Sequence, residues 1–415
     1  MSRSRETLAI ALAAALPRLA VVGFERGNIL ASFTEKSDDI AQVFLKSGTF
    51  GFVPGDPSAY TQPLYSFFLV PLYWVFGRHW LVVGFAQTAV AVASALLVLA
   101  LGRRLLGRTG GLLAALAATL SPYLVWHDVH VNREILDGVL AVALVLLTLR
   151  LGEHFTLRRA GAAGAVAGLA ILGNSRLVAL PLVLVGYIAW RAGINRRTGV
   201  GALVLLAASA LVVTPWVVRN RVELGCFAVT TDSRALWKAN NEQTYDILRR
   251  GEWIDNVPNL PGAPPTPEVA GAVYRQDGRI IKLYECAQMR FYRDLVTDFW
   301  RDHPGEKAKL AALGTAMLWD PRVTLTEGRP GSGTWLDVAR KWIVPVWFAA
   351  LIGLGLYGLL LVPRPLAVLT VALLSYQTLA AMVFAGTTRY RAPWDFLLAL
   401  GAGAALARLA PRLRR

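Results

Sequence analysis

The chain alternates long apolar stretches with short, arginine-bearing breaks. AVAVASALLVLALG, ILDGVLAVALVLLTL and GALVLLAASALVV are near-continuous apolar runs. Runs of this kind read as helices that cross the hydrocarbon core of a bilayer. Taken along the whole chain, the pattern predicts about ten spans, near 7–24, 79–101, 111–127, 135–151, 160–174, 177–191, 199–218, 342–362, 365–385 and 394–409. PLYSFFLVPLYWVF, 63–76, has only fourteen residues with two prolines. It is too short for a crossing and reads as an aromatic-rich interfacial segment.

The breaks sort into two kinds. Arg3 and Arg5, Arg103, Arg104 and Arg108, Arg150, Arg158 and Arg159, Arg191, Arg196 and Arg197, Arg364, and Arg408, Arg412, Arg414 and Arg415 fall at alternate ends of the runs. Short loops rich in arginine stay in the cytoplasm, so both termini are expected inside. The first run has no clear small-residue cleavage site after it and reads as a retained span rather than a signal peptide. Residues 25–78 and 219–341 then lie outside, the first with helices along the membrane surface, the second as a small extracytoplasmic cap. The expected organisation is a transmembrane module at 1–218, the cap at 219–341 and C-terminal transmembrane helices at 342–415.

Composition agrees with this all-α polytopic membrane reading. Of 415 residues, 55% are hydrophobic and 17% charged, where a soluble chain carries about a quarter charged residues. The net charge of +16 is spread over helix ends rather than gathered in one basic domain, which excludes nucleic-acid binding. The two cysteines, Cys226 and Cys286, both fall in the expected outer region, where either a disulfide or two separate thiols fits.

Candidate chemistry gathers on the outer side. TEKSDDIAQVF places Glu35, Asp38 and Asp39 within five positions; wound as a helix, they share a face with Gln42, opposite Ile40, Val43 and Phe44. Such a helix lies on a membrane surface with its carboxylates in water, or is simply a solvated acidic helix. In HDVHVNREILDG, His127, His130, Glu134 and Asp137 form one stripe if the helix is continuous. The set could ligate zinc or manganese, but without HExxH the better reading is hydrogen bonding, and no metal site is assigned. Arg18 within the first span, Arg176, Arg219 with Asn220, and Arg389 with Arg391 are cations at places where charge is costly or runs against the topology rule. Guanidinium groups so placed suit the gripping of an anionic ligand such as phosphate.

One series of motifs carries a family likeness. An acidic first outer loop is followed by PSAYTQPLYSFFLVPLYWVFG and by a span ending LGRRLLG. TPWVVRN, KANN, FWRDHPGEKAKL and a terminal RYRAP come after it. The series resembles the GT-C membrane glycosyltransferases, specifically the protein O-mannosyltransferase and aminoarabinose-transferase superfamily (glycosyltransferase family 39-like). The resemblance implies the GT-C fold and transfer of a sugar from a polyprenyl-phosphate donor to an extracytoplasmic acceptor, in a bacterial-type cytoplasmic membrane with the site facing outside. It implies a carboxylate base in the first outer loop, among Glu35, Asp38 and Asp39, and a second acid at Glu134. This chain departs from the family's Asp-Glu-and-tyrosine pattern there; by distance from the LKSG turn Glu35 stands closest to the family's acid, Asp38 next and Asp39 last. Gln62, before Pro63, stands where the family often has lysine or proline and is expected at the donor. Arg18, His127, His130, Arg176, Arg219, Asn220, Asn240 of KANN, Arg389 and Arg391 are the expected substrate contacts. No cofactor is required by this chemistry, although a divalent cation is compatible with it. A glycolipid transporter or flippase is the competing reading, weakened by the lack of an internal repeat and of midspan acids. For a third reading, a non-catalytic scaffold whose cap binds a partner, no specific feature speaks.

Overall fold

In a computed structural model, which describes residues 3–31, 36–322 and 338–409, the apolar runs fold as helices. Each expected span overlaps a helix, two of them the two legs of one helix. Seven helices among the described residues are long and apolar enough to cross a membrane. The longest, Trp80–Thr119, is two legs joined at Gly107, whose φ of 75° and ψ of −175° break the helix. The expected span at 111–127 stops at Thr119; Leu120 and Ser121 interrupt it before a short helix, Pro122–His127. Two other expected spans are shorter helices, Leu157–Gly173 and Phe396–Leu409. Residues 63–76 fold as the 13-residue helix Leu64–Phe76, which ends on exposed Trp74 and Phe76.

Small residues bring these helices together. A side chain at Gly111 would collide with the Gly102–Arg103 backbone of the other leg, and one at Gly358 with the Gly401 carbonyl. Gly164 and Gly168 face Leu205 and Ser209 in the same way. Between apolar helices in lipid there is little hydrophobic drive, so close backbone approach and van der Waals contact hold the bundle.

The arginine clusters converge on one end of this bundle. Glu6 pairs with Arg103 (2.6 Å) and Arg108, and Arg104 pairs with Glu153. Arg364 lies over the Trp190 ring at 5.8 Å. Arg412, Arg414 and Arg415 lie outside the described residues.

The opposite end carries the loops and the cap. Cys226 and Cys286 are disulfide-bonded, which ties the end of helix Arg196–Leu224 to the start of Glu285–Asp302. Beside it the buried Glu285 carboxylate accepts hydrogen bonds from Ala59 N (3.0 Å) and the Thr231 hydroxyl (2.6 Å). First loop and cap are thereby pinned together. Farther along, Pro304–Trp319 lies against the end of Arg364–Phe384, with Gly314 meeting Ala381 and Gly386.

The acidic segment differs from its expected solvent-facing stripe. Its helix runs Lys36–Ser47. Asp38 is fully buried: Arg78 donates to it through Nε and Nη2 (2.8–3.1 Å), the Tyr73 hydroxyl at 2.6 Å and Gln42 at 3.0 Å. Ile40 packs in a cluster with Phe50, Phe52 and Trp216, so the apolar face is covered by protein instead of lying on lipid. Asp39 is left half-buried against Arg275 of the cap at 3.2 Å. Glu35 lies outside the described residues.

Candidate active site

A cavity of about 250 Å³ opens at the loop end, where the first loop, three helix ends and the cap meet. Its floor is cationic. Arg176 sits on the turn Ser175–Leu177, which is held by Asn174: the Asn174 Oδ1 accepts from Arg176 N (3.2 Å), and its Nδ2 donates to Asp137 (3.0 Å). The Tyr376 hydroxyl donates to the Arg176 carbonyl at 2.6 Å. With its backbone fixed on both sides, the Arg176 guanidinium lies over Tyr390, its Cζ 3.7 Å from the ring centroid and 5.6 Å from that of Phe384. Among the described residues none accepts a hydrogen bond from any of its three buried guanidinium nitrogens. A buried cation with five unused donors is an anion site in waiting.

Two more arginines border the same cavity. Arg133 donates to Gln62 Oε1, and Gln62 Nε2 donates to Ser175 at 2.9 Å. Arg389 pairs with Glu134, whose carboxylate also lies 3.6 Å from Arg133 Nε. Arg133 and Arg389 therefore share the Glu134 carboxylate, while Arg176 makes no ion pair among the described residues.

The cap-side wall carries the opposite sign. Lys36 Nζ lies 3.4 Å from Asp232, 4.0 Å from Glu268 and 4.3 Å above the Tyr60 ring. Burial alone would lower its pKa; Asp232, Tyr60 and Glu268 outweigh burial and raise it, so the ammonium stays charged. Trp253 and Asp255 project from the turn Ile254–Asn256 and its flank. A larger chamber of about 690 Å³ continues outward, sharing Lys36, Tyr60, Asp232, Asp255 and Arg389 with the inner cavity and reaching Pro264–Glu268.

Of the expected site residues, the fold brings Gln62, Arg176 and Arg389 to the cavity, with Glu134 paired behind them. It sends the others elsewhere. Arg18 is spent on Asp128 (2.6 Å) and on the Ala14 and Thr119 carbonyls (3.0 and 3.1 Å). Arg219 donates to the Phe50 and Ser58 carbonyls (2.9 Å each), and Asn220 to the Ala228 carbonyl. Asn240 bridges Trp300, Lys307 and the Val383 carbonyl. Arg391 is buried under Asp395 and the Leu318 and Asp320 carbonyls, against the Phe348 ring. The cause is shared: each of these polar groups is engaged by protein partners, several of them from distant chain segments.

The stripe His127, His130, Glu134 and Asp137 is likewise broken, because residues 128–133 are not helical. His127 stacks on Tyr123 (3.9 Å), His130 lies 3.5 Å from Glu25, and Asp137 bonds Asn174. Among the described residues no group of three or more His, Cys, Asp or Glu side chains comes together to hold a metal ion. Sequence reasoning missed Lys36, Arg133, Asp232, Trp253, Asp255 and Tyr390. Arg133 and Tyr390 stood inside quoted motifs, NREILD and RYRAP, between residues of stronger chemical signal. Nothing in the sequence marked Trp253 or Asp255.

Residues 57–218 match the family described as dolichyl-phosphate-mannose-protein mannosyltransferase. No curated protein matches the chain. Among solved structures, the oligosaccharyltransferase of Archaeoglobus fulgidus in complex with Zn and sulfate aligns with a TM-score of 0.55 and 14% identity, over 98% of this chain and 49% of that one. The same archaeal protein, AglB, in complex with an inhibitory peptide and a dolichol-phosphate gives 0.54 and 14%, over 98% and 51%. ArnT from Cupriavidus metallidurans bound to undecaprenyl phosphate gives 0.43 and 14%, over 99% and 79%. The chain spans about half the length of the archaeal protein. Residues 57–218 are thus similar to that mannosyltransferase family, and the helical fold over 98% of the chain is similar to that of the archaeal oligosaccharyltransferase.

Proposed function

We propose that the chain transfers a sugar from a polyprenyl-phosphate donor to a hydroxyl-bearing acceptor at this cavity, on the extracytoplasmic side of a bacterial-type cytoplasmic membrane. The observation that carries the reading is the Arg176 guanidinium, buried, stacked on Tyr390 and without a hydrogen-bond partner among the described residues. It supports phosphate binding because five fixed donors match phosphate oxygens in bidentate geometry. Arg133 and Arg389 add positive potential on either side. The archaeal relative was solved with a dolichol-phosphate, which agrees with a lipid-linked donor. The arginine clusters at the opposite end favour that end as cytoplasmic.

In the reaction the acceptor oxygen bonds to the sugar's anomeric carbon as the bond from that carbon to the phosphate oxygen breaks. The electron pair leaves with the phosphate, which the arginines stabilise, and the acceptor proton passes to a carboxylate. Of the first-loop acids among the described residues Asp39 is the less committed, since Asp38 is saturated, but it pairs with Arg275 and stands outside the lining of both chambers, so it would act at their rim. Burial pushes the Asp39 pKa up, against the opposing charge of Arg275, toward the range useful for a base. Glu134 holds Arg389 in place.

Purified protein incubated with a panel of radiolabelled polyprenyl-phosphate sugars and membrane extract should move label onto an acceptor. Retention of all label on the carrier, with the carrier moved across a vesicle membrane, would instead establish the transporter reading.

A further inference from the structure

The cap contributes a short turn in which Trp253 packs partly against a small apolar cluster while its indole edge and the Asp255 carboxylate line the cavity. Ile254 is buried against Ala239, Leu248 and Ala385. Lys238 Nζ donates to the Asp255 carbonyl at 2.9 Å, Asn256 N to the Trp253 carbonyl at 2.9 Å and Val257 N to the Ile254 carbonyl at 3.0 Å. Asn256 Nδ2 donates to Glu252 Oε2 at 2.9 Å, and Glu252 in turn holds Arg250 at 3.0 Å. The backbone of the turn is therefore locked from both sides. Yet among the described residues nothing donates to the Asp255 carboxylate, and the Trp253 indole N–H has no acceptor. Both side chains line the cavity that Arg176 floors.

We infer that Trp253 and Asp255 select the sugar of the donor: the indole packs against the apolar face of the ring, and the carboxylate accepts hydrogen bonds from its hydroxyls. This rests on the reading of Arg176 as the phosphate grip. The sugar's anomeric carbon is one bond from a phosphate oxygen, so a phosphate at Arg176 confines the ring to the same 250 Å³ space. Trp253 lines that inner space and not the outer chamber; Asp255 stands at the boundary and lines both. The outer chamber, open past Pro264–Glu268, is left for the acceptor. A flat aromatic face excludes water from the C–H side of a sugar, while a fixed carboxylate makes charge-assisted bonds whose geometry depends on which hydroxyls are present and how they point.

The test compares Trp253→Ala, Trp253→Phe and Asp255→Asn with Arg176→Ala. Two readouts are used: binding of sugar-free undecaprenyl phosphate in detergent micelles, and kcat and KM over a panel of donors differing in one hydroxyl. In Trp253→Ala and Asp255→Asn, sugar-free carrier should bind within twofold of the native protein. The donor KM should rise by about tenfold, and the ranking of sugars should change. Trp253→Phe, which keeps an aromatic face, should fall between. Unchanged donor KM and ranking in both main variants would overturn the inference. So would a rise in acceptor KM alone, which would assign the turn to the acceptor. If Arg176→Ala still binds undecaprenyl phosphate, the phosphate reading itself is wrong, a result the Trp253 and Asp255 variants cannot mimic. Should Trp253→Ala fail to fold, Trp253→Phe and Asp255→Asn decide the matter.

Discussion

The guanidinium of Arg176 lies 3.7 Å from the centroid of the Tyr390 ring, with none of its nitrogens hydrogen-bonded to a described residue. The ring contact holds the cation in place without using its donors. Arg176→Lys keeps the charge but loses both plane and fork. Affinity for polyprenyl phosphate, measured by titration in micelles, should fall roughly ten- to hundredfold, the value of one or two charge-assisted bonds. Arg391→Lys should leave that affinity unchanged and lower the melting temperature, because Arg391 bonds Asp395 and two carbonyls.

Adjacent aspartates should behave oppositely. Asp38→Asn strips a buried partner from Arg78 and should destabilise the protein by roughly 3 kcal/mol, the low end for a broken buried pair because Arg78 partly reaches solvent. Asp39→Asn should preserve stability and sugar-free carrier binding but abolish transfer. In the native protein the acid limb of kcat/KM for the proposed transfer should lie above 3.8, the ordinary aspartate value, since burial raises the Asp39 pKa and a base works only when deprotonated. An active Asp39→Asn variant would move the search for the base to Glu134.

The disulfide closes 60 residues of chain between Cys226 and Cys286. A loop of that length gives an entropic stabilisation of up to about 4 kcal/mol. Reduction, or a Cys226→Ser/Cys286→Ser pair, should lower the melting temperature. It should also weaken transfer, because Glu285 and Thr231 next to the bond position Asp232 and the first loop. Thermal melts with and without reductant check the first effect, and turnover at a temperature where both forms are folded checks the second.

Lys307 is buried beside Asn240 and the Met382 and Val383 carbonyls without an acid, and burial pushes its pKa down to about 8 from an ordinary 10.5. Between those values the unfolded chain binds the proton and the folded protein has released it. Stability therefore rises with pH across that window on account of this group. Thermal melts from pH 7.5 to 10.5 should show this rise, and Lys307→Met should flatten it. An identical slope in the variant would remove Lys307 as the cause.

Much of the architecture was legible in the chain. Helix positions followed from apolar runs such as ILDGVLAVALVLLTL, and the short helix at 64–76 from its length and prolines, because hydropathy and length are local properties. The shared end of Arg103, Arg197 and Arg364 followed from counting spans. The break after Thr119 was missed: an apolar pattern continues across Leu120–Ser121, and only Pro122 marked a stop.

Local pattern could not say which polar residues are free. TEKSDDIAQVF, RYRAP and HDVHVNREILDG showed where polar chemistry collects, and GT-C motifs suggested what kind. Whether a given side chain is spent depends on partners far along the chain. Asp128 neutralises Arg18 across 110 residues, and Arg78 closes on Asp38 across 40. By the same logic, Tyr376 bonds the Arg176 carbonyl from 200 residues away and the Tyr390 ring lies under its guanidinium, while its buried donors stay unused. The sequence determined the helices, their order and the end of the bundle where the chemistry lies. Only the tertiary structure decided which charges are satisfied there, since a hydrogen bond requires a partner at the right distance and the partners that settle Arg18 and Asp38 come from segments far along the chain.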